Sequence, residues 1–225
     1  IVIKEKTIAK KLISHSKNHF YKKIKMIAGL DEAGRGSFIG RVYSACVVVD
    51  ENFIQRYKDN NEKIVLRDSK KLSEKKRDAA RKFIETYAPD YVVSFSDREE
   101  IEHQNILQAT LGSMRKCLDG LRIRPDKIMV DGPHFTPYKD IPHECIIKGD
   151  DSELSIACAS ILAKTHRDEY IKTLCEENTS LAAYDIMKNK GYGTKCHLDA
   201  IKKLGPTEFH RKTFGICRQY NKEKI

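Results

Sequence analysis

Hydrophobic positions recur along this chain in two rhythms, and their alternation lays out a set of elements. Residues 1–24 are lysine-rich, with Ile3, Ile8, Leu12 and Ile13 at roughly helical spacing. They predict a short amphipathic helix or a loosely held extension. Residues 25–31 predict a first strand. Residues 42–49, β-branched and apolar almost throughout, predict a second strand buried on both faces. Residues 51–62 are polar and read as turns. Arg67-Asp68-Ser69-Lys70-Lys71-Leu72 predicts a loop leading into a helix. Ser73 caps that helix, and Ala79, Ala80, Phe83, Ile84 and Tyr87 form its apolar stripe. Pro89 and Asp90 end the helix, and Tyr91 to Ser96 predict a strand. Residues 98–119 read as one helix closed by Gly120. Residues 127–131 predict a short strand that ends on Asp131, just before Gly132 and Pro133, and 144–148 a further strand. Gly149-Asp150-Asp151 opens a long helix over about 152–175, and 194–204 predict another, closed by Gly205-Pro206.

Strands come first, then strand and helix in alternation, then helices. That order predicts an α/β domain whose sheet mixes antiparallel and parallel strands. A chain of 225 residues suits one large domain with or without extensions, and buries a core without staples. The seven cysteines are odd in number and no two are spaced Cys-x-x-Cys, which argues against a zinc site or disulfide framework. They predict reduced, mostly buried thiols. No apolar run approaches the ~18 residues of a membrane span and no secretory signal is visible, so a cytoplasmic location and no membrane partner are expected.

Charge changes the picture through its placement. Of the net +10, residues 1–27 carry +7 (eight Lys, one Glu) and residues 184–225 carry +6 (ten Lys/Arg, four Asp/Glu), which leaves 28–183 at −3. A slightly acidic centre between two basic ends suits a polyanion, of which a nucleic-acid backbone is the commonest. The plain alternative is a solvated basic surface.

Four acids stand out against this pattern. Asp31 and Glu32 end the first predicted strand, directly before the turn Gly34-Arg35-Gly36, and Asp131 ends a later one. Ligands of α/β sheets gather at such strand ends. Asp168 continues the stripe Leu154, Ala157, Ile161, Lys164 on the long helix, a stripe that otherwise faces a core. Each acid has a structural alternative: exposed loop acids for Asp31 and Glu32, a turn cap for Asp131, an ion pair with Lys164 or Arg167 for Asp168. Should the four converge, their mutual repulsion calls for hard divalent cations. All-oxygen ligation without a His or Cys cluster points to Mg²⁺ or Mn²⁺. Two such ions about 4 Å apart clamp an in-line phosphoryl transfer.

Five stretches together carry a family resemblance. They are Asp31-Glu32-Ala33-Gly34-Arg35-Gly36; Asp68-Ser69-Lys70-Lys71-Leu72-Ser73; Asn105-Ile106-Leu107-Gln108-Ala109-Thr110; the run from Ser155 to Asp168; and Lys190-Gly191-Tyr192 through His197, followed by Gly205-Pro206-Thr207 and His210-Arg211. Their order and spacing resemble ribonuclease HII from about residue 25 to 214. The resemblance implies a ribonuclease H-like mixed sheet flanked by helices, with a C-terminal helical segment. It divides the chain into a basic extension (1–24), a catalytic domain (25–183) and a basic helical segment laid on that domain (184–225). It implies a metal-dependent endonuclease, expected as a monomer, that acts on RNA–DNA hybrids and on DNA duplexes carrying an embedded ribonucleotide. Cleavage is expected on the 5′ side of the ribonucleotide, leaving 3′-hydroxyl and 5′-phosphate ends.

By position, Asp31, Glu32, Asp131 and Asp168 match the family's metal-binding catalytic carboxylates. Gly34, Arg35 and Gly36 match its loop that reads the 2′-hydroxyl, and Tyr192 its sugar-packing tyrosine. Ser69 and Lys70 are candidate phosphate contacts, or else a solvated helix lead-in, as Lys195 and His197 are in the basic segment. Glycines let backbone approach a sugar closely, and the 2′-hydroxyl is the feature that separates RNA from DNA. Ser37 and Arg41 depart from the family pattern, which usually shows proline there. Arg41 is a further candidate phosphate contact. Asn189 replaces a usual histidine, and Pro133 a usual polar residue. The rivals are a ribonuclease HIII-like enzyme, which usually carries Gly-Lys-Gly at the turn, and a non-catalytic hybrid-binding module, which has no reason to gather acids near phosphates.

Overall fold

The middle strand of the molecule is Ile27–Ala33 (β1), and the other elements are arranged about it. The computed structural model describes residues 25–221; the helix or extension expected over 1–24 lies outside the described residues. Val42–Val49 (β2) is buried along its whole length and runs antiparallel to β1. Asp90–Ser96 (β3) runs antiparallel to β2 in turn. On the other side of β1, Lys127–Asp131 (β4) and His143–Ile146 (β5) add in parallel, giving the order β3-β2-β1-β4-β5. The predicted mixed sheet is therefore observed. β5 is shorter than the sequence reading and forms an exposed edge.

Each face of the sheet carries helices. Glu51–Asn60 (α1), Glu74–Tyr87 (α2) and the 24-residue Leu154–Glu177 (α6) lie on one face. Arg98–Gln104 (α3) leads into Ile106–Gly120 (α4), whose Met114, Cys117 and Leu118 cover the other face over Leu30, Cys46, Ile128 and Val130. A short helix, Gly149–Ser152 (α5), precedes α6. Ile186–Asn189 (α7) and Lys195–Leu204 (α8) follow in the C-terminal region, which packs through Leu181, Tyr184, Ile186 and Ile201 onto Ile39, Ile171 and Leu174.

Two sequence expectations need correction here. Residues 51–60 form a helix rather than turns. Asp50 caps it by accepting from the Phe53 N–H at 2.7 Å, and only Phe53 and Tyr57, one turn apart, reach the core. Its apolar residues Phe53, Ile54 and Tyr57 make a stripe barely more than one turn long, too short to stand out from a polar stretch. The helix expected over 98–119 is two helices broken at Asn105, whose φ of 72° is left-handed and whose side chain caps Leu107 and Gln108. With ψ at 164° this is backbone ordinarily left to glycine, and the two side-chain caps hold Asn105 in it. The seven cysteines are free and, as expected, mostly buried; Cys145 and Cys196 are the exposed ones.

Helix α6 crosses β1 at Gly29, where an added Cβ would stand 2.1 Å from the Ser155 carbonyl carbon. That close approach lets Ser155–Ala163 bury on every side of the helix. The expected single inward stripe is therefore absent in this half. One turn beyond, the fully buried position is Arg167, while the Asp168 side chain keeps 20% of its exposure.

Candidate active site

The parallel register pairs Leu30 with Val130, so Asp31 and Asp131 emerge side by side at the ends of adjacent strands. Successive strand residues point to opposite faces. Asp31 faces α6, where the Ser160 hydroxyl hydrogen-bonds its carboxylate, and Ser69 in turn lies 3.0 Å from Ser160. Glu32 faces α4 and shares a small hollow with Leu107, Leu111, Met114 and Asp131. Burial pushes the Asp31 carboxyl well above the usual carboxylate range, and the charges of Glu32 and Asp131 push it further. Burial likewise raises Glu32, against the pull of Arg35, whose Nη1 is 3.2 Å from Glu32 Oε1.

Asp150, which the sequence reading treated only as the start of a helix, belongs to the same group. It is 6% exposed, and burial and then Asp131 raise its carboxyl. The link is short: the Gly149 N–H donates to Asp131 Oδ1 at 2.8 Å. The signal was present: Asp131 ends β4, and Asp150 lies four residues beyond the end of the neighbouring β5. Lys70 stands over this group with Nζ 4.0 Å from Asp150. Burial acts to lower its ammonium, but the charges of Asp31, Asp150, Asp68 and Asp131 outweigh it and the net shift is upward.

Asp168 is apart from these acids. Its Oδ1 accepts from Lys164 Nζ at 2.8 Å and lies 3.8 Å from Arg167, and it lines a different hollow with Arg77 and Lys190. This is the ion pair that the sequence offered as its structural alternative. Among the described residues no three His, Cys, Asp or Glu side chains are gathered closely enough to hold a metal ion as they stand. The opposite facing of Asp31 and Glu32 is one reason. In donor type the group fits a hard divalent cation: Asp31, Glu32, Asp131 and Asp150 are carboxylates close enough for their charges to repel, and burial draws Asp31, Glu32 and Asp150 toward protonation.

Beside the acids opens a cleft of about 400 Å³ lined by Glu32, Gly34, Arg35, Gly36, Ser69, Lys70, Lys164 and Tyr192. Gly34 has φ of 95°, and the Ser37 N–H returns to its carbonyl at 3.2 Å, so the chain turns sharply after β1. Ser37 bridges to Tyr192 as in an antiparallel pair, and the Tyr192 ring lies 3.9 Å from where a Gly36 Cβ would stand. The turn and the tyrosine thus form one wall of the cleft, and Glu32, with Ser69, Lys70 and Lys164, lines the rest. Asn189 Oδ1 accepts from the Gly191 N–H at 2.7 Å and shapes the bend before Tyr192. Ser69 is 2% exposed and committed to Ser160, whereas Lys70 is exposed. His197 is buried. Arg41 is stacked between Phe95 and Tyr170, its Cζ 3.9 and 4.8 Å from the ring centroids.

Comparison with known proteins bears on the family and the fold. The family model described as Ribonuclease HII matches residues 28–217. Ribonuclease HII of Parabacteroides distasonis is 48% identical over 189 residues, spanning 84% of this chain and 89% of that protein. The crystal structure of ribonuclease H2 from Pyrococcus horikoshii OT3 superposes with a TM-score of 0.71 at 26% identity, covering 86% of this chain and 96% of that one. Bst-RNase HIII in complex with Mn²⁺ has a TM-score of 0.57 at 18% identity, over 80% and 63% of the two chains, which shows a shared fold. Among the described residues no helix is long and apolar enough to cross a membrane. With residues 28–217 matched by the family model, a relative 48% identical and the fold shared with a solved ribonuclease H2, this chain belongs to the ribonuclease HII family and is a nuclease of the ribonuclease H kind.

Proposed function

We propose that this nuclease cuts the RNA strand of RNA–DNA hybrids and nicks DNA duplexes at an embedded ribonucleotide. Cleavage falls on the 5′ side and leaves 3′-hydroxyl and 5′-phosphate ends. The observation that carries the reading is the cleft itself, lined by Glu32 of the buried, like-charged acid group together with the Gly34–Arg35–Gly36 turn and Tyr192. Residues 25–183 are the catalytic unit, and the basic residues from 184 onward cover one end of it and add attraction for the duplex.

Asp31, Glu32, Asp131 and Asp150 would hold Mg²⁺ or Mn²⁺, one or two ions, which supply charge neutralisation at the phosphate and a more acidic water. Support comes from the donor chemistry and from the Mn²⁺ complex of a protein with this fold. The expectation for Asp168 is revised: paired with Lys164, it holds that ammonium at the cleft, where a phosphate passes. Ser69 and Ser160 orient Asp31, and Lys70 meets a phosphate from above the acids. Gly34 and Gly36 bring backbone against the ribose, where the 2′-hydroxyl finds a hydrogen-bond partner that a deoxyribose lacks. Tyr192 packs on the neighbouring sugar.

With Mg²⁺ or Mn²⁺ the wild type is expected to nick a duplex bearing one ribonucleotide. Asp31→Asn and Asp150→Asn should bind the same duplex yet lose on the order of 100-fold or more in rate. Asp168→Asn should lose far less, about tenfold, through Lys164. Binding without nicking in either metal would overturn the reading. A loss in Asp168→Asn as deep as in Asp31→Asn, with Asp150→Asn unaffected, would return the fourth carboxylate to Asp168.

A further inference from the structure

Two guanidinium groups, Arg167 and Arg211, are fully buried beneath the Gly34–Arg35–Gly36 turn. Arg211 is matched: it donates to the carbonyls of Gly40 at 2.8 Å and of Arg35 and Arg41 at 3.0 Å. Arg167 is not. Its Nη2 donates to Ser37 Oγ at 2.8 Å, while Nε and Nη1 have no hydrogen-bond partner among the described residues. A buried charge so poorly matched is costly, and it persists only where its surroundings hold it.

Those surroundings are the two substrate-facing pieces of the cleft. Nε lies 3.0 Å from where a Gly34 Cβ would stand, so the guanidinium runs under the turn. Its Cζ is 5.3 Å from the centroid of the Tyr192 ring, within cation–π range. Ser37 Oγ, which receives it, also accepts from the Ile39 N–H at 3.2 Å and reaches the carbonyls of Ile39 at 3.0 Å and Gly191 at 3.2 Å. The serine that departs from the family pattern is therefore the junction between the turn, the Tyr192 loop and the buried cation.

We propose that Arg167, anchored on Ser37, is a positioning residue that sets the Tyr192 ring against the Gly34–Arg35–Gly36 turn. This inference rests on the reading of Tyr192 as the sugar-packing residue. Removing the hydroxyl leaves Arg167 without a direct hydrogen bond, so the guanidinium shifts toward Asp168, 3.8 Å from Nη1, and the ring loses its support.

The chain contains no tryptophan, so Tyr192→Trp supplies a single fluorescent reporter at this site. In that background, Ser37→Ala and, separately, Arg167→Lys are expected to shift the emission to the red and to raise acrylamide quenching about twofold. Arg167→Lys keeps the charge but loses the planar fork. Far-UV circular dichroism of each variant verifies the fold, and Arg167→Lys serves if Ser37→Ala does not fold. With Tyr192 present, Ser37→Ala should lower kcat/KM on the one-ribonucleotide duplex about tenfold, a loss that disappears in Tyr192→Ala, because the serine acts through the ring. Unchanged emission and quenching in both variants, or the same activity loss with and without Tyr192, would overturn the proposal. Fluorescence that responds while no variant, nor the wild type, nicks the duplex would leave the positioning intact and refute the functional reading instead.

Discussion

At the scale of single residues, hydrogen-bond partners separate roles that spacing alone merges. His197 and His210 illustrate this behind Tyr192. His197 Nδ1 lies 3.0 Å from the Tyr192 carbonyl and so must donate, which leaves its Nε2 as an acceptor for His210 Nε2–H at 3.0 Å. His210 Nδ1 then accepts from the Thr207 N–H at 2.9 Å. The relay closes only with both rings neutral. Burial first, and His197 second, lower His210 from 6.5 to about 4. The unfolded chain therefore binds more protons between those values, and this contribution to stability is complete above about 6.5 and lost as pH falls toward 4. Urea unfolding is expected to show a loss of about 2 kcal/mol between about pH 7.5 and pH 5 from this group alone. His210→Asn should remove that share of the pH dependence, and an unchanged dependence in the variant would contradict the relay.

The acids were legible as types, but only in part as a set. Asp31, Glu32 and Asp131 stood out because each ends a strand. Asp150 was hidden behind its neighbours Gly149 and Asp151, which read as helix punctuation. Asp168 was drawn in by a helical stripe that the structure does not keep, since α6 is buried all round near its start and Arg167 takes the buried place. No one-dimensional pattern shows that a guanidinium rather than a carboxylate turns inward there.

At the scale of elements, the site depends on how closely α6 approaches β1. Gly29 makes that approach possible, and Ser160, one helical run later, consequently meets Asp31. Gly29→Ala would drive a methyl group into the Ser155 backbone, where no side-chain rotation relieves it. The expected result is a loss on the order of 3 kcal/mol or more in chemical denaturation, or failure to fold. A variant as stable as the wild type would mean that α6 does not pack this closely. Strands β1 and β2 were plain from their apolar runs, whereas α1 escaped because only Phe53 and Tyr57 anchor it, and the break at Asn105 escaped because a left-handed asparagine leaves the helical pattern on both sides intact.

At the scale of the whole molecule, charge and chemistry have separate places. The centre of the chain carries −3 and its basic ends carry the rest of the net +10. A polyanion is attracted by the ends and brought to acids that repel it unless cations intervene. The acids in this account would cut any phosphodiester presented to them. On the same account the Gly34–Arg35–Gly36 turn and Tyr192, which line the cleft with Glu32, would decide which sugar is presented. That division of labour is tested most directly by one comparison: the nicking rate, with Mg²⁺, of two duplexes identical except for a single 2′-hydroxyl. The account predicts a nick at the 5′ side of the ribonucleotide, with a 3′-hydroxyl end, and no cutting of the all-deoxy duplex. Equal cutting of both duplexes, or of neither, would contradict it.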